Sequence, residues 1–143
     1  AYASLELDRV FVVLVRGHGP QSTGMPELHR LTPMLSNLQD KGHAVALVTD
    51  GRMSGASGTV PAAIHVMPEA VAGGPIGQLA DGDMIRLDAV AGILQTDAEL
   101  NSRAPFGPTN SAPQRGFARP LFSALRASAG SAEQGAGLYS QES

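Results

Sequence analysis

Two apolar runs, Val10–Val15 and Ala44–Val48, each end abruptly in a glycine-rich loop. Short apolar runs bounded by turn residues read as strands buried on both faces. The first run stops at Arg16-Gly17-His18-Gly19-Pro20. The second enters Thr49-Asp50-Gly51-Arg52-Met53-Ser54-Gly55-Ala56-Ser57-Gly58. A strand that runs straight into glycines and short polar residues gathers backbone N–H groups at one point. Anion pockets and catalytic corners are built in this way. The glycine-rich loops 16–27 and 49–59 thus each follow a strand, and the expectation is that they face one pocket.

Between the runs, Pro26 suits a first helical position, and Leu28, Leu31, Leu35 and Leu38 recur at helical spacing. The spacing predicts a helix from Pro26, kinked or split by Pro33 and stopped at Lys41-Gly42. Further on, Ala62–Val66 is a short apolar stretch and 72–75 is a turn. Asp81-Gly82 leads into an alternating strand through Ile85 and Leu87, and 90–96 pairs back through Gly92. Residues 1–100 are read as the core and 101–116 as a Pro-rich loop. A short helix follows at 117–129, with a frayed tail at 130–143. With 17 Gly and 10 Pro in 143 residues, short elements are favoured over long helices. The expected fold class is mixed α/β and β-rich, a barrel or sandwich with two or three flanking helices. A doubly wound sheet is disfavoured, because strand–helix alternation stops after residue 48.

The formal net charge is −3, Lys41 is the sole lysine and the arginines are scattered, so no nucleic-acid partner is expected. No apolar run approaches the roughly 20 residues of a membrane span. Glu6 and Arg9 precede the first apolar run, so no signal peptide is expected. The chain has no Cys, which excludes disulfides and thiolate metal sites within it and fits a reducing, cytoplasmic setting. It opens without Met, as a processed protein or a piece of a longer one would.

Glu27 admits two readings: a carboxylate stabilised in a first helical turn, or a hard-metal ligand held out by the rigid Gly24-Met25-Pro26 loop. Ser54 is either a turn serine or a base whose alkoxide is stabilised by loop N–H groups and a nearby cation. Asp50 and Arg52 either pair with each other or bind substrate, with Arg52 on an anionic group. Ser57 makes a turn hydrogen bond or a substrate contact. His18, His29, His43 and His65 are too scattered for a zinc motif.

The ordered set Gly19-Pro20, Gly24-Met25-Pro26-Glu27-Leu28, Val48 to Gly55, His65-Val66, Pro68-Glu69-Ala70, Gly73-Gly74-Pro75-Ile76 and Asp81-Gly82-Asp83-Met84-Ile85 is more specific than any one loop. It resembles the C-terminal region of the dihydroxy-acid dehydratase / phosphogluconate dehydratase family, closely over about residues 7–100. The 54–58 and 60–66 segments, Leu28-His29 and Leu31-Thr32-Pro33, and 133–136 look like the phosphogluconate branch. His18 departs from the Gln expected there, and 101–115 match little.

The resemblance implies a barrel-like domain of swivelling β/β/α type. It implies loss of water from 6-phospho-D-gluconate to give 2-dehydro-3-deoxy-6-phosphogluconate, a step of the Entner-Doudoroff pathway. It implies Mg²⁺ with Glu27 as one ligand, Ser54 as the base that takes the C2 proton, and an Fe–S cluster, 4Fe–4S, held by cysteines of an absent N-terminal domain. That domain, a phosphorylated sugar acid and a second copy in a homodimer are the implied partners. The 143 residues are expected to be inactive alone. Two alternatives stand beside this one: another dihydroxy-acid or sugar-acid dehydratase of the family, and a non-catalytic anion-binding or assembly module.

Overall fold

The computed structural model describes residues 10–53, 58–107 and 118–138. Strand β1 (Val10–Val15) pairs in parallel with β2 (Ala44–Thr49), in register from Val10 opposite Ala44 to Val15 opposite Thr49. Strand β3 (Ala62–Ala63) extends this parallel sheet beyond β2, giving the order β1-β2-β3. Parallel neighbours need a crossover, and helix α2 (Leu31–Asp40) lies on the connection from β1 to β2.

Both faces of the sheet are covered. Val45 and Leu47 face Leu35 of α2 and Val60, with Phe11, Val13 and Val15 packed around them. Val48 faces the other way, onto Ala70, Ile76 and Leu79, joined by Val12 and Leu14. The alternation along β1 and β2 therefore feeds two cores, as the uninterrupted apolar runs predict. Leu35 and Leu47 are 1% and 0% exposed, and burying each contributes about 1.5–3 kcal/mol.

The helix predicted from Pro26 begins later, at Leu31. Pro33 is then its third residue, in the first turn, where an N–H has no intrahelical acceptor to lose. The helix is accordingly neither kinked nor split there, and it stops at Lys41 with Gly42 at φ 89°.

The second sheet is the hairpin β4 (Ile85–Asp88) and β5 (Ile93–Thr96), antiparallel as the alternation predicts. Asp88 Oδ1 accepts from the N–H groups of Val90 (3.1 Å) and Ala91 (2.9 Å) and so closes the turn. Asp83, just before β4, is forked by the Arg103 guanidinium. That hydrogen bond, helped by the Ala80 N–H, holds the Asp83 carboxyl down to about 2.

The remaining helices are α1 (Pro20–Thr23) and α3 (Ala118–Ser128), linked where Gln21 Nε2 donates to the Ala129 carbonyl (3.1 Å). Over residues 129–138 the chain after α3 makes its own hydrogen bonds; the rest of the expected tail, 139–143, lies outside the described residues. Gly130 N–H donates to Gly137 O (2.8 Å), and Ser131 caps a 3-10 turn over Ala132–Gln134. The fold is mixed α/β with short strands, and among the described residues the two sheets do not close into a barrel. No helix among those residues is long and apolar enough to cross a membrane.

Candidate functional site

Strand β2 delivers its last residue, Thr49, into the interior at 0% exposure, where its Oγ1 accepts from the Gly51 N–H (2.9 Å). The chain then passes against the loop after β1. A Cβ on Gly51 would lie 2.9 Å from His18 Cβ and 3.2 Å from His18 O, so only glycine lets the two loops approach this closely. Beyond Gly51 the chain extends again. Arg52 forms a parallel bridge with Glu27, and Leu28 N–H donates to Arg52 O (3.2 Å). The two glycine-rich loops are thus joined as strand-like neighbours.

Two buried carboxylates hold this junction from beneath. Asp50, 0% exposed, accepts from Gly17 N–H (2.9 Å), His18 N–H (2.9 Å) and Ala70 N–H (3.0 Å). Glu69, also 0% exposed, accepts from Gln21 N–H (3.0 Å) and Ser22 N–H (3.1 Å) in α1. Gly19 runs so close over Glu69 that a Cβ there would sit 2.2 Å from Oε2. Burial pushes the Glu69 carboxyl above its ordinary value; its two N–H donors oppose the rise and the Asp50 charge adds to it. On the far side of loop 16–24, the Arg16 guanidinium donates to the carbonyls of Gly77 (2.9 Å) and Leu79 and lies 5.4 Å from the Phe106 ring centroid.

On the rim, Arg52 and Glu27 meet at 3.9 Å with side chains 53% and 30% exposed. Arg52 Nε also donates to Met25 O (2.8 Å). Met25 has φ 56°, an uncommon conformation for a side chain-bearing residue. His65, whose N–H donates to Gly51 O (2.9 Å), has the same φ. Two strained residues therefore border one edge, as is common where geometry serves function.

Of the residues expected at the site, Glu27 and Arg52 come together. Glu27 sits in an extended segment ahead of α2, not in a first helical turn, because its neighbour Leu28 is hydrogen-bonded to Arg52. Asp50 pairs with backbone N–H groups, not with Arg52, and lies wholly inside. Ser54 and Ser57 fall outside the described residues. Glu69 received no task from the sequence; its only signal is its place in Pro68-Glu69-Ala70, since nothing local marks a glutamate for burial. An apolar cavity of about 220 Å³ between β2 and the hairpin is lined by Val48, Val66, Ile76, Leu79, Ile85 and Leu100 among others. None of Glu27, Asp50 or Arg52 lines it; Gln95 and Thr96 do, but no charged side chain that would meet the carboxylate or phosphate of a sugar acid.

Glu27 offers a partly exposed carboxylate oxygen, which suits a hard cation such as Mg²⁺. Among the described residues no three His, Cys, Asp or Glu converge as a metal site. An Fe–S cluster does not fit this chain, which has no cysteine to bind it.

The family described as dihydroxy-acid/6-phosphogluconate dehydratase C-terminal matches residues 1–136. A phosphogluconate dehydratase of Pseudomonas aeruginosa is 52% identical over 144 residues, covering 99% of this chain and 24% of that protein. The Escherichia coli K12 phosphogluconate dehydratase is 53% identical over 133 residues, covering 91% of this chain and 22% of its own length. A dihydroxy-acid dehydratase of Pyrobaculum calidifontis is 43% identical over 107 residues, covering 72% and 19% respectively. The chain therefore spans about a quarter or less of these curated relatives. A match over nearly the whole chain, with the Glu27 and Arg52 loops joined at one edge, identifies it as a member of the dihydroxy-acid/6-phosphogluconate dehydratase C-terminal family.

Proposed function

We propose that this chain is the C-terminal part of a hydro-lyase that converts 6-phospho-D-gluconate to 2-dehydro-3-deoxy-6-phosphogluconate and water. The observation that carries the reading is the parallel bridge between Glu27 and Arg52, in a chain about half identical to phosphogluconate dehydratases. Glu27 supplies one oxygen to Mg²⁺. A bound Mg²⁺ would hold the substrate carboxylate and 2-hydroxyl and favour the alkoxide of Ser54. Ser54, two residues beyond Arg52, takes the C2 proton. The C2–H electron pair becomes the C2=C3 bond as the C3–O bond breaks; the departing hydroxide takes the proton that Ser54 removed and leaves as water, which restores the alkoxide, and the enol tautomerises to the 2-keto acid. Arg52 faces solvent at the same edge and neutralises an anionic group of the substrate, which Ser57 also contacts. Asp50 shapes the loops and does not touch substrate. The remaining metal ligands and the group that activates the 3-hydroxyl come from the rest of the longer protein.

The test is Ser54→Ala in the full-length enzyme. Turnover of 6-phosphogluconate should fall by about 10²–10⁴-fold, with folding and Mg²⁺ binding retained. Unchanged turnover would favour a non-catalytic, anion-binding module. The match to a dihydroxy-acid dehydratase makes 2,3-dihydroxyisovalerate the informative competitor. Faster turnover of that acid would assign the enzyme to the other branch. Residues 1–143 alone should turn over neither.

A further inference from the structure

We propose that Glu69 is a positioning residue for the Glu27–Arg52 edge, acting through loop 17–24; this rests on the reading of Glu27 as a metal ligand. Glu69 accepts from the N–H groups of Gln21 (3.0 Å) and Ser22 (3.1 Å), and Gly19 is pressed onto its carboxylate. The carbonyl of Gly19 in turn accepts from Thr23 N–H (3.2 Å) and Met25 N–H (3.2 Å). Met25, held at φ 56°, presents its carbonyl to Arg52 Nε at 2.8 Å. Arg52 then fixes the Glu27 segment through the Leu28 N–H (3.2 Å) and its own guanidinium (3.9 Å).

Every step in that path is a backbone or charge-assisted hydrogen bond or a close approach, so a shift at Glu69 displaces the edge. The Asp50 carboxylate clamps the start of the same loop and also the N–H of Ala70, the residue after Glu69. Two buried carboxylates thus hold both ends of the segment that leads to Glu27.

The experiment uses the full-length enzyme with Mn²⁺ as the probe. Dissociation constants are measured by the electron paramagnetic resonance of free Mn²⁺, alongside melting temperatures. Glu69→Gln keeps the side-chain shape but sets an NH₂ group against one N–H donor. It should weaken Mn²⁺ binding by about 10–100-fold, the usual effect of removing a group that orients a ligand. Arg103→Ala, which breaks the Asp83 fork, is the stability control. It should lower the melting temperature and leave Mn²⁺ affinity unchanged.

Equal Mn²⁺ affinity in Glu69→Gln and the parent protein would overturn the proposal, as would an equal loss in Arg103→Ala. Should Glu69→Gln fail to fold, Gly19→Ala displaces the same carboxylate from the other side, and its Mn²⁺ affinity is read against the same control. Glu27→Gln separates the two ideas. Unchanged Mn²⁺ affinity there would remove the metal-ligand reading itself, whereas a loss in Glu27→Gln without one in Glu69→Gln would remove only the positioning role.

Discussion

Asp50 and Glu69 lie beneath the loops at 0% exposure, with five backbone N–H groups donating to them. Glu27, of the same chemical kind, stands on the rim at 30% side-chain exposure beside a half-exposed arginine. The buried pair is committed to the chain's own backbone. The rim carboxylate is partly exposed and lies beside a charged side chain rather than under backbone N–H groups of the loops. Identical functional groups thus stand in two settings: two set the shape of the loops, and the third is the one proposed above to meet the ligand.

The largest effect that would break this comparison is on Asp50. Asp50→Ala leaves three interior N–H groups without an acceptor, and each such loss costs about 1–3 kcal/mol. Urea unfolding should show a total loss of about 3 kcal/mol or more. A loss below about 1 kcal/mol would mean that the buried carboxylate is not the clamp that its geometry describes.

A smaller effect separates Glu69 from an ordinary carboxylate by pH. The Glu69 carboxyl is raised above its ordinary value of 4.5, chiefly by burial. Its contribution is therefore fully present below its unfolded value and is lost as pH rises through the folded one. The protein should gain stability relative to Glu69→Gln as pH falls toward about 4.5. Asp83 runs the opposite way. Held down to about 2, it contributes above its unfolded value and loses that contribution as pH falls through the folded one. Thermal melts of the protein and of Glu69→Gln across this range check the sign, and a flat difference would contradict it.

The smallest stability effect belongs to the rim. Arg52→Gln should change unfolding free energy by no more than about 1 kcal/mol, as exposed ion pairs do, while turnover of the full-length enzyme falls. A large stability loss would place Arg52 with Asp50 and Glu69 as a structural residue.

Much of the fold was legible because it is locally encoded. Val10–Val15 and Ala44–Thr49 are unbroken apolar runs, and Asp81-Gly82 with Ile85 and Leu87 marks a turn and an alternating strand. The start of α2 was not legible. Pro26 and the leucine spacing favour a helix from Pro26, but Arg52 captures Leu28 through a hydrogen bond that local sequence does not encode. The same limit hid the task of Glu69. Its burial depends on Gly19 and on α1, nearly fifty residues earlier in the chain. The pairing of Glu27 with Arg52 was likewise invisible locally, although both residues were singled out by the loops that carry them.

The hydrogen bond from Gln21 to Ala129 spans 108 residues of sequence. At the roughly 5–20 residues per second of protein synthesis, the two groups emerge from the ribosome roughly 5–20 s apart. In that interval the first glycine-rich loop gains its partners from Asp50, and then from Glu69, before its tether to the end of α3. The parallel sheet can form early, while the surface on which chemistry is proposed is fastened last. During biosynthesis, then, the nascent chain carries a nearly finished scaffold with its working edge still unlatched, and a premature stop before residue 129 would leave it so.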